Sequence, residues 1–143
     1  MNKVFFLDAY ALIFRAYYAF IKNPRINSKG VNTSAIFGFM NSLLDVIQKE
    51  KPTHLAIAFD SSAKTFRHDM FPAYKATREA TPEDIRKSIP YIKQIIEALE
   101  IPMFEVPGYE ADDVIGTLAK DFARRDYMVF MMMQKDLHFL IEL

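Results

Sequence analysis

Cysteine and tryptophan are absent from the 143-residue sequence, and glycine is scarce, with four residues. Without cysteine the chain forms neither disulfide bonds nor thiolate metal sites, which suits a reducing compartment. No apolar run approaches the roughly 18 residues that a membrane-spanning helix needs. Asp8 interrupts the apolar N-terminus, which argues against a secretory signal. We therefore expect a soluble cytoplasmic protein.

Net charge is also absent, because 18 basic residues balance 18 acidic ones. This balance argues against a uniformly basic protein that coats nucleic acid, so any such binding must come from a local patch. One such patch is present, since residues 64–93 carry seven Lys or Arg and four acids. Hydrophobic residues make up 51% of the chain, enough to bury the core of a single domain.

Short apolar runs alternate with segments of helical periodicity along the chain. The predicted strands cover residues 4–7, 54–59, 101–106 and 128–133. The predicted helices cover residues 10–20, 33–49, 81–99 and 110–124, and a further helix is expected to begin in the last ten residues. Thr33 and Thr81 are the expected N-caps, with Pro82 in the first helical position. The alternation predicts an α/β fold with a largely parallel sheet.

Acidic residues follow every predicted strand. They are Asp8, Asp60, the group Glu110, Asp112 and Asp113, and finally Asp136. Because parallel strands end at the same edge of a sheet, these carboxylates are expected to converge there. Oxygen ligands alone suit Mg²⁺ or Mn²⁺, and a carboxylate-held metal pair can activate water against a phosphodiester.

Each acid also has a structural interpretation that remains open. Asp8 and Asp60 are suitable N-caps for the helices that follow them. The three acids at 110–113 fall in the first turn of a helix, where the helix dipole favours negative charge.

The segment 61–81 interleaves aromatic and cationic side chains. They are Phe66, Arg67, Phe71, Tyr74, Lys75 and Arg78. Such a set can stack on bases and neutralise phosphates, which predicts contact with DNA. The alternative is an ordinary solvated charged face.

Five segments together resemble one known family. They are LDAYALIFRAYYAF, GVNTSAIFGF, LAIAFD, FRHDMFPAYKATR and VPGYEADDVIGTLAK. They resemble the N-terminal 5′→3′ exonuclease domain of bacterial family A DNA polymerases, in the flap-endonuclease and PIN-like superfamily. The resemblance implies a Rossmann-like sheet, a helical arch at about 61–81, and metal-dependent cleavage of DNA 5′ ends or flaps in replication and repair. It also makes a polymerase domain possible in the natural context.

The resemblance further implies roles for individual residues. The six strand-end acids belong to a two-metal site, Lys75 and Arg78 contact the scissile phosphate, and Tyr17 and Tyr74 lie near the 5′ end of the DNA. With Phe66 and Arg67 these residues make up the expected DNA contacts.

Two departures from the family pattern affect the expected activity. Gln134 stands where an acid is expected, so the second metal should bind more weakly. The chain also corresponds to the N-terminal part of the domain, without the C-terminal helix–hairpin–helix half. A catalytically weak DNA-binding remnant and a small PIN-type ribonuclease therefore stay open beside the nuclease. An aspartate-nucleophile phosphatase is disfavoured, because Tyr10 occupies the place of its second acid.

Overall fold

The computed structural model describes residues 1–61, Met70, 81–132 and the backbone of 139–141. The strands are β1 (Lys3–Asp8), β2 (His54–Phe59), β3 (Met103–Glu105), β4 (Met128–Met132) and β5 (Phe139–Ile141). The helices are α1 (Ala9–Ala19), α2 (Ser34–Asp45), α3 (Glu83–Ala98) and α4 (Ala111–Ala123), and a π-helical turn, Val46–Glu50, extends α2. None of the helices in this described part combines the length and hydrophobicity of a membrane span.

The five strands form one sheet in the order β3-β2-β1-β4-β5. Strands β1 to β4 are parallel, and only β5 runs antiparallel to its neighbour. This confirms the predicted α/β class and the largely parallel sheet. The chain moves from β1 through β2 to β3 and then crosses to β4 on the other side of β1. The carboxyl edge at β1 is therefore the reversal point where open α/β sheets bind ligands.

The two faces of the sheet are covered by different helices. The cluster that includes Phe5 and Leu7 packs under α1, α2 and α3, whereas Val4 and Phe6 pack under α4. Right-handed crossovers explain this division, because the reversal of direction after β3 moves the next connecting helix to the opposite face. Helices α1 and α2 cross closely, since a Cβ on Gly38 would lie 2.5 Å from the Cβ of Ala16.

The helix expected in the last ten residues is wrong, because residues 139–141 form β5. They pair with residues 129–131 of β4. A short apolar run fits a helix or a strand equally well, and here pairing with the open edge of β4 decides the outcome.

Of the two predicted N-caps, Thr33 is confirmed in position and Thr81 is wrong. Helix α3 begins at Glu83, with Pro82 rather than Thr81 at the N-cap. Thr33 is the N-cap of α2, but its hydroxyl donates to the carbonyl of Arg25 rather than capping the helix. The side chain of Asn32 binds the helix start instead, because its Oδ1 accepts from the N–H of Ser34, the first residue of α2.

Candidate metal centre

The first two predicted site residues, Asp8 and Asp60, are fixed at the carboxyl edge by hydrogen bonds to helix N-termini. Asp8 is the N-cap of α1, and its Oδ1 accepts from the N–H of Ala11 at 3.2 Å. Asp60 directly follows β2, and its Oδ1 accepts from the N–H of Ala111, the first residue of α4, at 2.7 Å. The capping interpretation of Asp8 is therefore correct, whereas Asp60 bonds to a helix 51 residues further along the chain.

Asp8 is the electrostatic centre of the site. Its side chain is only 4% exposed, and burial is the main cause that raises its pKa from 3.8 to about 7. The hydrogen bond from Ala11 opposes this rise, while the nearby charges of Asp60 and Asp112 add to it. A hydrogen bond joins Asp8 to Asp112 and favours the protonated form of Asp8. Asp60, which follows β2, and Asp112 on α4 thus both act on the charge of Asp8 at the end of β1.

Glu110 and Asp113 interact with each other at the start of α4. Glu110 is the buried N-cap residue, and its N–H donates to Oδ2 of Asp113 at 3.0 Å. The expectation that acids serve the first turn of this helix is therefore correct for Asp113. A metal-binding role for either residue stays a prediction.

Sequence reasoning missed a second charged group beside these carboxylates. Glu105, the last residue of β3, lies 2.8 Å from the Nζ of Lys93 on α3. Burial is the largest cause that raises the pKa of Tyr10, and the negative charges of Glu105, Asp60 and Asp8 raise it further. The phenol therefore lies within electrostatic reach of all three carboxylates. The rule that selected the other acids, an acid after each predicted strand, does not select Glu105, because the predicted third strand, 101–106, includes it, whereas the observed strand ends there.

The donor chemistry fits a hard divalent cation bound with part of its water shell. Among residues 1–61, Met70 and 81–132, no three acidic or histidine side chains form a ready metal cage. Mg²⁺ does not need one, because it commonly binds through one or two carboxylates and keeps several waters for substrate oxygens. The Asp8–Asp112 pair with Asp60 nearby meets that requirement.

Several predicted site residues lie outside the described part of the chain. They are Phe66, Arg67, Tyr74, Lys75, Arg78, Gln134 and Asp136. Tyr17 is described, and it lies nine residues beyond Asp8, about 13 Å along α1. Its ring meets that of Tyr18 edge-on at 5.2 Å and packs against the core under α1 to α3. Tyr17 is therefore separate from the carboxylate group.

Residues 3–142 match the family described as "5'-3' exonuclease, N-terminal resolvase-like domain". The chain belongs to this family. It is 45% identical over 126 residues to DNA polymerase I of Synechocystis, covering 86% of this chain and 13% of that protein. It is 40% identical over 129 residues to a 5'-3' exonuclease of Aquifex aeolicus, covering 90% of this chain and 44% of that protein.

Solved structures agree with the fold. The bacteriophage T5 D15 flap endonuclease, in a complex with DNA and metal ions, matches 91% of this chain at a TM-score of 0.64 and 18% identity. This chain covers 48% of that protein. The chain thus spans about an eighth of its DNA polymerase I relative and just under half of the exonuclease and flap endonuclease proteins.

Proposed function

We propose that this chain carries the metal-binding part of a 5′→3′ exonuclease and flap endonuclease that hydrolyses DNA phosphodiesters. The observation that carries the proposal is the interaction of Asp8, Asp60 and Asp112 at the reversal point of the sheet, in a member of the 5′→3′ exonuclease family. The T5 relative, in a complex with DNA and metal ions, supports the same chemistry. We further propose Mg²⁺ or Mn²⁺ as the cation.

The described residues have separate tasks in this proposal. A bound divalent ion would lower the pKa of a water and stabilise charge on the phosphate. Asp8 and Asp112 would hold the ion, and Asp60 would add negative charge beside it. The bonds from Ala11 and Ala111 would keep the carboxylates of Asp8 and Asp60 in position before substrate arrives.

Lys75 and Arg78 complete the proposed mechanism from the basic segment. Both lie outside the described residues, and their assignment rests on the family motif alone. Cations over a carboxylate–metal cluster would offset the negative charge that builds on the phosphate in the transition state. Asp136 is proposed as a further metal ligand on the same basis.

Cleavage of a 5′-labelled flap DNA by the 143-residue chain, with and without Mg²⁺ or Mn²⁺, tests the proposal. We expect divalent-dependent release of the flap and a fall of about 100-fold or more in Asp112→Asn, since even indirect metal partners commonly cost 10–100-fold. Asp45→Asn on α2 is the control, because it also removes one carboxylate charge, and Asp45 pairs with Lys49 at 3.5 Å rather than with any group of the site. Equal activity in both variants would refute the role of Asp112.

A DNA-binding remnant is the second candidate function. It is favoured by one observation, that the described residues form no three-ligand cage. The two candidates differ in one result: a remnant would bind flap DNA but leave it intact at every Mg²⁺ or Mn²⁺ concentration.

A further inference from the structure

Helix α4 carries a shallow concavity of about 620 Å³ on its outer surface. Its wall begins at Asp112 and Asp113, passes Gly116 and Thr117, and ends at Lys120 and Arg124. A Cβ on Gly116 would meet no atom within 4 Å, so the middle of this groove is open. The α4 groove therefore leads away from the candidate metal centre along one helix.

Charge changes sign along the α4 groove. The end at the sheet edge holds Asp112 and Asp113, and the far end holds the exposed cations of Lys120 and Arg124. The acid between those cations, Asp121, already pairs with Arg125 at 2.9 Å. Among the described residues neither Lys120 nor Arg124 has an ion-pair partner. Two cations that have no ion-pair partner within the described part of the chain thus face a groove that starts at a proposed phosphodiester-cleaving site.

The spacing of these charges matches a nucleic acid backbone. Eight residues separate Asp112 from Lys120, which is about 12 Å of helix at 1.5 Å per residue. One strand of a duplex carries a phosphate about every 3.4 Å along the duplex axis, so Lys120 would meet a phosphate about three or four nucleotides from the metal centre. Arg124, about 18 Å from Asp112 along the helix, would meet one about five nucleotides away. The open surface at Gly116 leaves room for the strand between the two ends.

We propose that the α4 groove is a track for one DNA strand, with Lys120 and Arg124 binding its phosphates beyond the reacting bond. This inference rests on the proposed function, because it takes its substrate and its starting point from the metal centre. It adds a binding surface formed by α4 and its C-cap residue Arg124, on the face of the sheet opposite α1, α2 and α3.

The first test measures how salt weakens binding of fluorescent 5′-flap DNA by anisotropy, with Ca²⁺ present and intact DNA verified on gels. The magnitude of the slope of log K against log salt falls by about 0.7 for each lost contact to a single strand and by about 0.9 for each lost contact to a strand in a duplex. We expect the double variant Lys120→Gln/Arg124→Gln to reduce this magnitude by about 1.4 to 1.8. Lys49→Gln/Lys51→Gln is the control, because it removes the same charge from exposed positions next to the π-helical turn.

The outcomes separate the α4 groove from the proposed function. The proposed DNA track is refuted if the salt slope is unchanged in the Lys120/Arg124 variant, or if the control variant loses as much slope. Either result leaves the proposed nuclease function intact, because that function is tested separately by flap cleavage with the natural chain. A natural chain that neither binds nor cleaves flap DNA overturns both. Urea unfolding of each variant shows whether a lost slope accompanies a lost fold.

The second test locates the DNA strand directly. Because the sequence has no cysteine, Thr117→Cys creates a unique thiol in the α4 groove for a photo-crosslinker. We expect crosslinks within about four nucleotides of the phosphodiester at the metal centre. The exposed Glu97→Cys on α3 is the control on the opposite face. Crosslinks of equal yield and position from both thiols would overturn the track.

Discussion

Asp8 makes the metal-free protein sensitive to pH in a direction opposite to that of most carboxylates. Its pKa is about 7 in the folded chain and close to 3.8 when exposed, so the folded state holds an extra proton between those values. Where the folded state binds more protons, stability falls as pH rises. The contribution of Asp8 to the stability of the metal-free fold should therefore be most favourable below pH 4 and should be lost by about pH 7.

The size of this effect follows from the same pKa. The rise from 3.8 to about 7 corresponds to about 4 kcal/mol of unfolding free energy. Asp8→Asn removes the ionisation but keeps an oxygen for the cap of α1, because Asn caps helices as well as Asp does. Without metal, the variant should match the natural chain near pH 4 and exceed its stability by up to about 4 kcal/mol at pH 8.

Urea unfolding in EDTA, followed by circular dichroism from pH 4 to 8, measures this difference. Asp121→Asn is the control, since its 49% exposed side chain pairs with Arg125 far from Asp8. Subtracting the unfolding free energy of the natural chain from that of each variant, at each pH, isolates the contribution of one carboxyl group. Parallel pH curves for the natural chain and Asp8→Asn would refute the buried, charge-coupled description of Asp8.

Mg²⁺ or Mn²⁺ should narrow the difference in stability between the two chains at pH 8. A ligand at 100 times its Kd stabilises the folded state by about 2.7 kcal/mol, and the natural chain should gain this while Asp8→Asn gains less, so the ion offsets part of the difference of about 4 kcal/mol. Equal stabilisation of both chains by the ion would mean that Asp8 does not bind it.

Three further predictions concern neighbouring groups. Lys75→Ala or Arg78→Ala, in a full-length context, should lower flap cleavage while changing unfolding free energy by no more than about 0.5 kcal/mol; a large loss of stability with unchanged cleavage would indicate a structural ion pair. A double-mutant cycle of Lys93→Met and Glu105→Gln should give a coupling energy of about 1 kcal/mol, because the pair is partly buried at 28% and 38% exposure; additive effects would contradict it. Gln134→Asp should tighten Mn²⁺ binding in calorimetric titration, since divalent affinity rises with ligand charge, and an unchanged affinity would mean that residue 134 does not face the ions.

Much of the site's position follows from strand periodicity alone. Val4 and Phe6 of β1 face α4, and the alternation of side chains carries Asp8 to the same face. Ala56 and Ala58 of β2 do the same for Asp60. The apolar runs and the acid after each run were therefore enough to predict a common edge for these two carboxylates.

Long-range pairing is what the sequence does not reveal. The bond from Ala111 to Asp60 joins residues 51 positions apart, and no local pattern predicts it. The pairing of β5 with β4 likewise overrides an apolar run that fits a helix. Lys93 and Glu105 belong to different elements, so their contact depends on how α3 packs over the sheet.

Helix capping and metal binding are compatible roles for the same carboxylates. In Asp8 and Asp60 the bond from a helix N-terminus engages Oδ1, and each carboxylate has a second oxygen. The N–H donors of α1 and α4 hold both side chains in place and lower the cost of gathering negative charge, since helix N-termini carry partial positive charge. Asp112 differs, because it is exposed and bonds to Asp8.

Replacing Asp8 by Asn should thus preserve the cap and remove the ligand charge, whereas replacing it by Ala should also cost about 1 kcal/mol of helix stability. The difference in unfolding free energy between Asp8→Asn and Asp8→Ala measures the capping role of Asp8. The change that both variants show relative to the natural chain measures the role of its charge.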